Sequence, residues 1–277
     1  MGEIRFGPSD LPVGSFDEAA EELAAAGYRA VEIGFAGGFW LDYQTAPRLA
    51  EALHGHDVVL SVHAPLAAFM GHVDRGKKFK MALGMLDHTA GLAKAAGAEV
   101  IVFHPGFLLG RERELAIADV VDQLGDLRAR LESKDRLVPF GIEVMGRVRE
   151  LGTLDDVLAI AAQVDFVRPV LDFAHMHATS DGAYTEVEMC ATALEAADDA
   201  MRDGERFHIH FSDIAYANRN ETKHLPYGEG TLRVDGLRDA LARFDRPATV
   251  ISEAPDEEST QVIGAVLLGA SASRRAE

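Results

Sequence analysis

The chain has 277 residues, 48% of them hydrophobic, and a formal net charge of −18 at pH 7. The length suits one large domain, and the acidic balance argues against the overall basic footprint of most nucleic-acid-binding proteins. The opening MGEIRFG lacks the apolar segment of a signal peptide, no apolar run approaches the ~20 residues of a membrane-spanning helix, and the single cysteine, Cys190, excludes an internal disulfide, so we expect a cytoplasmic protein.

Strand-like and helix-like segments alternate along the chain, beginning with the strand-like run EIRFGP. The strand-like runs are rich in Val, Ile and Phe, as buried parallel strands are. They cover residues 3–8, 28–35, 57–65, 98–106, 137–144, 167–175, 206–213 and 248–255. In the first helical stretch, SFDEAAEELAAAG, Ser15 and Glu18 have the spacing of a capping box and Gly27 fits a C-terminal cap.

The strict alternation of eight strand-like runs with amphipathic stretches predicts an α/β fold. A closed (β/α)8 TIM barrel fits eight units better than a doubly wound sheet does. We expect a single domain over residues 1–270, with residues 271–277 as a frayed tail.

Residues that can bind metal ions stand at or just after the ends of these strands. They are His63, His104, Glu143, Asp172, His175, His210, His224 and Glu253. The C-terminal ends of barrel strands meet at one rim, so these side chains are expected to lie together. The set offers only nitrogen and oxygen donors, which suits a catalytic cluster of two to three Zn²⁺ ions, or Mn²⁺ in their place.

Each of these residues also has an ordinary structural interpretation. A carboxylate in the barrel mouth could pair with Lys or Arg, but none lies beside Glu143, Asp172 or Glu253 on the same strand face. A lone His is more often a hydrogen-bonded structural residue, and His224 falls in a polar loop. His208 fits a supporting or core position better than a ligand position.

The glycine-rich segment GFAGGFWLDY follows the second strand-like run and contains the only Trp. It matches neither the P-loop nor the dinucleotide-binding fingerprint. It could be a flexible loop at the rim. Alternatively, Phe39 and Trp40 could stack on a base or sugar of the substrate.

The runs VFHPGFLLGR, DFAHMHA and HIHFS…KHLP together resemble the endonuclease IV family, the family 2 AP endonucleases among the xylose-isomerase-like barrels, and especially its archaeal branch. The resemblance covers almost the whole chain and implies a site for about three metal ions. In it, His63 and His104 match ligands of the first ion, and Glu143 matches the bridging carboxylate. The remaining matches are Asp172, His210 and Glu253 for the second ion, and His175 and His224 for the third.

The sequence departs from this family at two positions. The family has an Asp two residues before the loop His, where this chain has Thr222, and the match fails there, although the adjacent Glu221 could substitute for the Asp. After the motif HAP the family often has an aromatic residue that enters DNA, and here Leu66 takes that place. The resemblance therefore carries over less completely to the third ion and to DNA recognition than to the first two ions.

The resemblance implies a zinc-dependent phosphodiesterase of DNA repair that hydrolyses DNA 5′ to abasic sites. A hydroxide bridging two ions would attack phosphorus and leave a 3′-hydroxyl. Glu143 and His175 are the expected catalytic residues, the first holding the ion pair and the second acting at the leaving oxygen. Phe39, Trp40 and Leu66 are the expected substrate contacts, and we expect the protein to act on abasic DNA as a monomer.

Two other functions remain open from the residues alone. A divalent-metal sugar isomerase or epimerase needs one ion, which Glu143, Asp172, His210 and Glu253 could hold while carboxylates act as acid and base. Such an enzyme would not need four further His residues at the rim. The other alternative is a metal-binding protein without catalytic activity.

Overall fold

Eight parallel strands form the inner layer of the computed structural model, which describes residues 2–269. The strands of the whole described region are β1 (Ile4–Pro8), β2 (Ala30–Gly34), β3 (Val59–His63), β4 (Val100–Phe103), β5 (Phe140–Glu143), β6 (Val167–Asp172), β7 (Phe207–Phe211), β8 (Asp213–Ala217), β9 (Asn220–Leu225) and β10 (Ala248–Ser252). The barrel strands follow the spatial order β1, β10, β7, β6, β5, β4, β3, β2. The predicted single-domain TIM barrel is thus confirmed, while the predicted tail 271–277 lies outside the described residues.

The barrel closes between β1 and β2 through a close backbone approach. The amide of Arg29 donates to the carbonyl of Phe6 over 2.9 Å. A Cβ atom at Gly7 would lie 1.6 Å from the carbonyl oxygen of Ala30, so only glycine allows the two strands to come this near. The remaining seams are continuous parallel ladders.

Helices cover the outside of the barrel. In the described region they are α1 (Phe16–Ala25), α2 (Ala46–Gly55), α3 (Lys77–Ala95), α4 (Arg113–Glu132), α5 (Leu154–Ala161), α6 (Phe173–Thr179), α7 (Val187–Ala200), α8 (Val234–Leu241) and α9 (Glu257–Leu267). The predicted capping box of Ser15 and Glu18 opens α1, and Gly27, with a φ of 84°, follows its end. Within residues 2–269, no helix has both the length and the apolar content to cross a membrane.

The main hydrophobic core lies between the barrel and the helices. Alternate strand residues such as Val62, Ile142 and Ile209 are fully buried there. The other face of each strand points into the barrel, where the polar residues Glu32, Ser61 and His208 are also buried. This alternation leaves the inner face of the strand ends free to carry chemistry.

Two segments differ from the elements that the sequence predicts. The sixth strand ends at Asp172 rather than at residue 175, because Asp172 caps α6 by accepting the amide of His175 over 2.7 Å. His224, expected in a loop, lies in β9, which pairs antiparallel with β8 to form a hairpin over the rim. His175 therefore comes from the first turn of a helix, and His224 from a strand.

Candidate metal centre

All eight residues predicted as ligands lie in clusters of donor atoms, each cluster within 4.8 Å. We call His63, His104 and Glu143 the first group. The second group comprises Glu143, Asp172, His210 and Glu253, and the third comprises His175, Glu221 and His224. The convergence of the first two groups follows from the parallel register, which brings the C-terminal ends of β3, β4, β5, β6, β7 and β10 to one rim.

Glu143 joins the first group to the second through its two carboxylate oxygens. Its Oε2 lies 3.2 Å from Nε2 of His63 and 3.0 Å from Nε2 of His104. Its Oε1 lies 3.2 Å from Nδ1 of His210 and 3.4 Å from Nδ1 of His175. The side chain is 1% exposed, so four imidazoles surround one buried carboxylate.

The second group contains a carboxylate oxygen that has no hydrogen-bond partner. Oδ2 of Asp172 is buried and unpartnered, although it lies 3.2 Å from Nδ1 of His175 and 4.0 Å from Nδ1 of His210. Oε1 of Glu253 lies 3.5 Å from the same Nδ1 of His210. A buried carboxylate oxygen without a hydrogen bond makes the ionised form of Asp172 costly, and a cation among these carboxylates would remove that cost.

The third group contains Glu221, which the sequence offered only as a possible substitute for the missing carboxylate. Its Oε2 lies 2.8 Å from Nε2 of His175. The ring of His224 lies 6.1 Å from that of His175, centroid to centroid. Thr222, at the position of the family's Asp, is exposed and its hydroxyl donates to the carbonyl of Ala215 over 2.9 Å, outside the group.

Four of the five imidazoles have one ring nitrogen beside a partner outside the metal groups. Nδ1 of His63 lies 2.9 Å from the carbonyl of Ala64, and Nδ1 of His175 lies 2.8 Å from the carbonyl of Val144. Nδ1 of His224 lies 2.5 Å from the hydroxyl of Ser212. Such contacts hold the ring and its tautomer, as they do in metal-binding His residues, so the donor set fits a metal cluster.

The fourth such imidazole, His210, rests on a carboxylate that the sequence analysis missed. Oε1 of Glu32 lies 3.0 Å from Nε2 of His210, although this contact is not aligned as a hydrogen bond. Oε2 of Glu32 is hydrogen-bonded to Nε2 of His208 over 3.1 Å. Glu32 is the one charged residue in the otherwise apolar strand AVEIG, and it lies at the depth of His208. This sequence signal could have identified Glu32 as part of the site.

The charges of these buried groups depend on one another. Burial opposes the ionisation of Glu143, but positive charge on His104 and His210 outweighs it and holds the pKa of Glu143 well below its ordinary value. Burial lowers the pKa of His63, yet its contact with Glu143 raises that pKa to about 9. Imidazoles paired in this way must lose a proton to bind a metal ion, so metal binding releases protons.

The three residues predicted to contact the substrate are all partly exposed. Leu66 is 54% exposed in the loop after β3, and Trp40 is 51% exposed with its Nε1 donating to the carbonyl of Gly34 over 3.1 Å. Phe39 is 38% exposed, and its ring packs 4.6 Å from that of His88 on α3. The ring of Phe39 is therefore turned towards the helical layer. A substrate contact by any of the three stays a prediction.

The proteins to which the chain is similar in sequence include two that it matches to different extents. Over 265 residues it is 28% identical to Uncharacterized protein MJ0133 of Methanocaldococcus jannaschii, covering 93% of this chain and 94% of that protein. Over 181 residues it is 25% identical to a "Probable endonuclease 4" of Latilactobacillus sakei, covering 64% of this chain and 58% of that protein. The second similarity thus spans only part of each protein.

Solved structures of two kinds of enzyme share the fold equally well. A D-tagatose 3-epimerase-like protein superposes with a TM-score of 0.71 at 19% identity, covering 96% of each chain. Endonuclease IV from Thermus thermophilus superposes with a TM-score of 0.70 at 20% identity, covering 96% of this chain and 98% of that one. Residues 20–271 match the family described as Xylose isomerase-like TIM barrel, and the chain belongs to that family.

Proposed function

We propose that this protein is a metal-dependent phosphodiesterase of the endonuclease IV type, which hydrolyses DNA 5′ to abasic sites. The observation that carries the proposal is the presence of two donor groups beside the second group. A one-ion enzyme would need the second group alone. Clusters of neighbouring ions are the arrangement that phosphatases and nucleases use to clamp a phosphate ester.

The proposed roles of the residues follow from their contacts. Zn²⁺, or Mn²⁺, would be held by the three groups, and when bound it would polarise a phosphoryl oxygen and lower the pKa of water. Glu143 ties the first two groups together because each of its oxygens faces a different pair of imidazoles. His175 lies 3.4 Å from Glu143 and 2.8 Å from Glu221, so it connects the third group to the others.

The rim beside the third group carries a local concentration of basic residues on an otherwise acidic protein. Arg147 and Arg149 lie in the loop after β5, and Arg219 and Lys223 lie on the β8–β9 hairpin; all four are exposed. Arg147 also contacts Oε1 of Glu221 over 3.2 Å. Exposed cations at this place could contact backbone phosphates on either side of the reacting one, which supports a nucleic-acid substrate.

The alternative is a sugar isomerase or epimerase with one divalent ion. It is favoured by the second group, which is complete as a set of three carboxylates and one imidazole. In that reaction two carboxylates would exchange a proton with a carbon atom of a ketose. The alternative gives no role to the third group, so we rank it below the phosphodiesterase.

The test uses purified protein loaded with Zn²⁺ and a duplex that contains one abasic site. The proposal predicts a nick 5′ to that site, with a 3′-hydroxyl that a DNA polymerase extends, and no nick in the intact duplex. Glu143→Gln should abolish the nick, and Glu229→Gln, a change at an exposed carboxylate of the next loop, should not. Conversion of a ketose together with an uncut abasic duplex would reject the proposal in favour of the epimerase.

A further inference from the structure

The β8–β9 hairpin has one residue more on its second strand than on its first. The paired residues are Ala217 with Asn220, Tyr216 with Glu221, Ala215 with Lys223 and Ile214 with His224. Thr222 has no partner in this register, and the pairing shifts beside it. Thr222 is thus the extra residue of a β-bulge, which bends a strand and re-aims the side chains next to it.

The turn of the hairpin keeps this register in place. Asn218 and Arg219 connect the strands with φ angles of 52° and 62°. Two consecutive residues with positive φ are the signature of a two-residue type I′ turn, whose geometry matches the twist of the two strands. The tight turn fixes the first pairs of the hairpin, so the extra residue is accommodated at Thr222.

The bulge brings two residues three apart in sequence to the same face of β9. In a regular strand, residues two apart share a face and residues three apart point to opposite faces. With one residue inserted between them, Glu221 and His224 both reach His175. Oε2 of Glu221 lies 2.8 Å from Nε2 of His175, and Glu221 is the only carboxylate of this group.

The surroundings of Glu221 are built to receive its side chain. The amide of Glu221 donates to the carbonyl of Gly146 over 2.8 Å, which ties β9 to the loop after β5. A Cβ atom at Gly146 would lie 2.6 Å from Oε2 of Glu221 and 2.7 Å from Cδ2 of His175. Glycine at this position therefore leaves the space in which the carboxylate and the imidazole meet.

We propose that the bulge at Thr222 completes the third metal group by bringing the carboxylate of Glu221 to it. Glu221 stands three residues before His224, whereas in a regular strand the carboxylate would have to stand two residues before that His. The inference rests on the proposed function, because it is the proposed phosphodiesterase reaction that requires a third cation. It makes the departure at Thr222 a change of register rather than the loss of a ligand. A third site as strong as the other two is then expected.

The test counts Zn²⁺ per chain by native mass spectrometry at a buffered free-zinc concentration, without any substrate. The unmodified protein should hold three ions, and Glu221→Ala should hold two. Adding Thr222→Asp to Glu221→Ala should not restore the third ion, because residue 222 points away from the group while the bulge persists. Deleting Thr222 alone should keep three ions, because Glu221 then stands two residues before His224 in a regular strand.

Matched controls separate ligand loss from damage to the fold. Glu229→Ala removes an exposed carboxylate from the loop after the hairpin and should leave three ions. Gly146→Ala should displace Glu221 and lower the third-ion affinity, whereas Gly125→Ala, where an added Cβ meets nothing within 4 Å, should not. Circular dichroism and melting temperature report whether each variant is folded, and Glu221→Ala with and without Thr222→Asp decides the matter if the deletion does not fold.

Three outcomes would overturn the inference: fewer than three ions in the unmodified protein, three ions in Glu221→Ala, or restoration by Thr222→Asp. These outcomes are separate from the fate of the proposed function. A protein that loses one ion in Glu221→Ala but leaves abasic DNA uncut keeps the inference and loses the function. If the unmodified protein nicks abasic DNA but Glu221→Ala keeps all its ions, the proposed function is kept and the inference is lost.

Discussion

Nε2 of His210 lies 3.0 Å from Oε1 of Glu32, inside the barrel and on the other side of the imidazole from the second metal group. Glu32 stands two residues before the end of β2, and its second oxygen is hydrogen-bonded to His208 over 3.1 Å. All three side chains are buried. The arrangement places a buried carboxylate beside Nε2 of His210 and leaves Nδ1 facing the second metal group, which makes Glu32 a candidate positioning residue for this imidazole.

Replacing Glu32 by glutamine should weaken metal binding while the barrel stays folded. The amide has the size of the carboxylate but lacks the negative charge that faces Nε2 of His210 over 3.0 Å. We expect the Zn²⁺ affinity of the second group to fall about 10–100-fold, measured by competition with a chelator. Asp87→Asn, which also changes a buried carboxylate but far from the rim, is the matched control. Equal affinities in Glu32→Gln and the unmodified protein would exclude the positioning role.

Removing Glu143 should affect two metal groups at once. Its oxygens serve the first and the second group, so Glu143→Ala should release at least two equivalents of Zn²⁺, measured by elemental analysis after dialysis. Glu253→Ala is the comparison, because Glu253 belongs to the second group alone and should release one. Full metal content in Glu143→Ala would show that this carboxylate does not bridge.

Asp87 should stabilise the fold in a pH-dependent way. It is 4% exposed and accepts from Nε of Arg130 over 2.8 Å and Nη1 of Arg136 over 3.1 Å, with Lys134 also in contact. Burial raises the pKa of Asp87, but the contacts with Lys134 and Arg130 outweigh this and lower it. A lowered pKa in the folded state gives stability that is present above the unfolded value of about 3.9 and lost as pH falls through the folded pKa.

Asp87→Asn should therefore reduce the free energy of unfolding by about 1–3 kcal/mol at pH 7. The difference from the unmodified protein should shrink as the pH is lowered below about 4, because Asp87 then becomes protonated in the unfolded chain before it does so in the folded protein. Urea unfolding at pH 7, 5 and 3 measures it. A difference that is constant across these values would mean that the charge of Asp87 does not contribute.

Salt should stabilise this protein. At a net charge of −18 the folded chain repels itself, and only six of its 27 basic residues are Lys. The Debye length falls from about 10 Å at 0.1 M to about 3 Å at 1 M, so the melting temperature should rise between these KCl concentrations. Neutralising Glu21, Glu51 and Glu195, all exposed, by glutamine should reduce the rise. A melting temperature that is unchanged or lower at 1 M KCl would contradict the prediction.

The fold and the composition of the first two groups could be predicted from the sequence because both depend on strand alternation. His63 and Glu143 stand at strand ends, and a barrel brings strand ends together. Glu32 was missed because it lies in mid-strand, where only its depth beside His208 connects it to the site. The position of Glu221 depends on a bulge and a turn that no local sequence pattern predicts. The monomeric state and the cytoplasmic location stay predictions.

Crystals of the zinc-loaded protein, measured at the zinc absorption edge, would test the three-ion site most directly. We predict three anomalous peaks, one in each of the three groups, at about 2.0–2.2 Å from the nitrogen and oxygen donors. We also predict no peak between Glu32 and His208, although these residues and His210 lie close enough to hold an ion. A single peak in the second group would contradict the three-ion site and with it the phosphodiesterase, whereas a peak at Glu32 would contradict the positioning role of that residue.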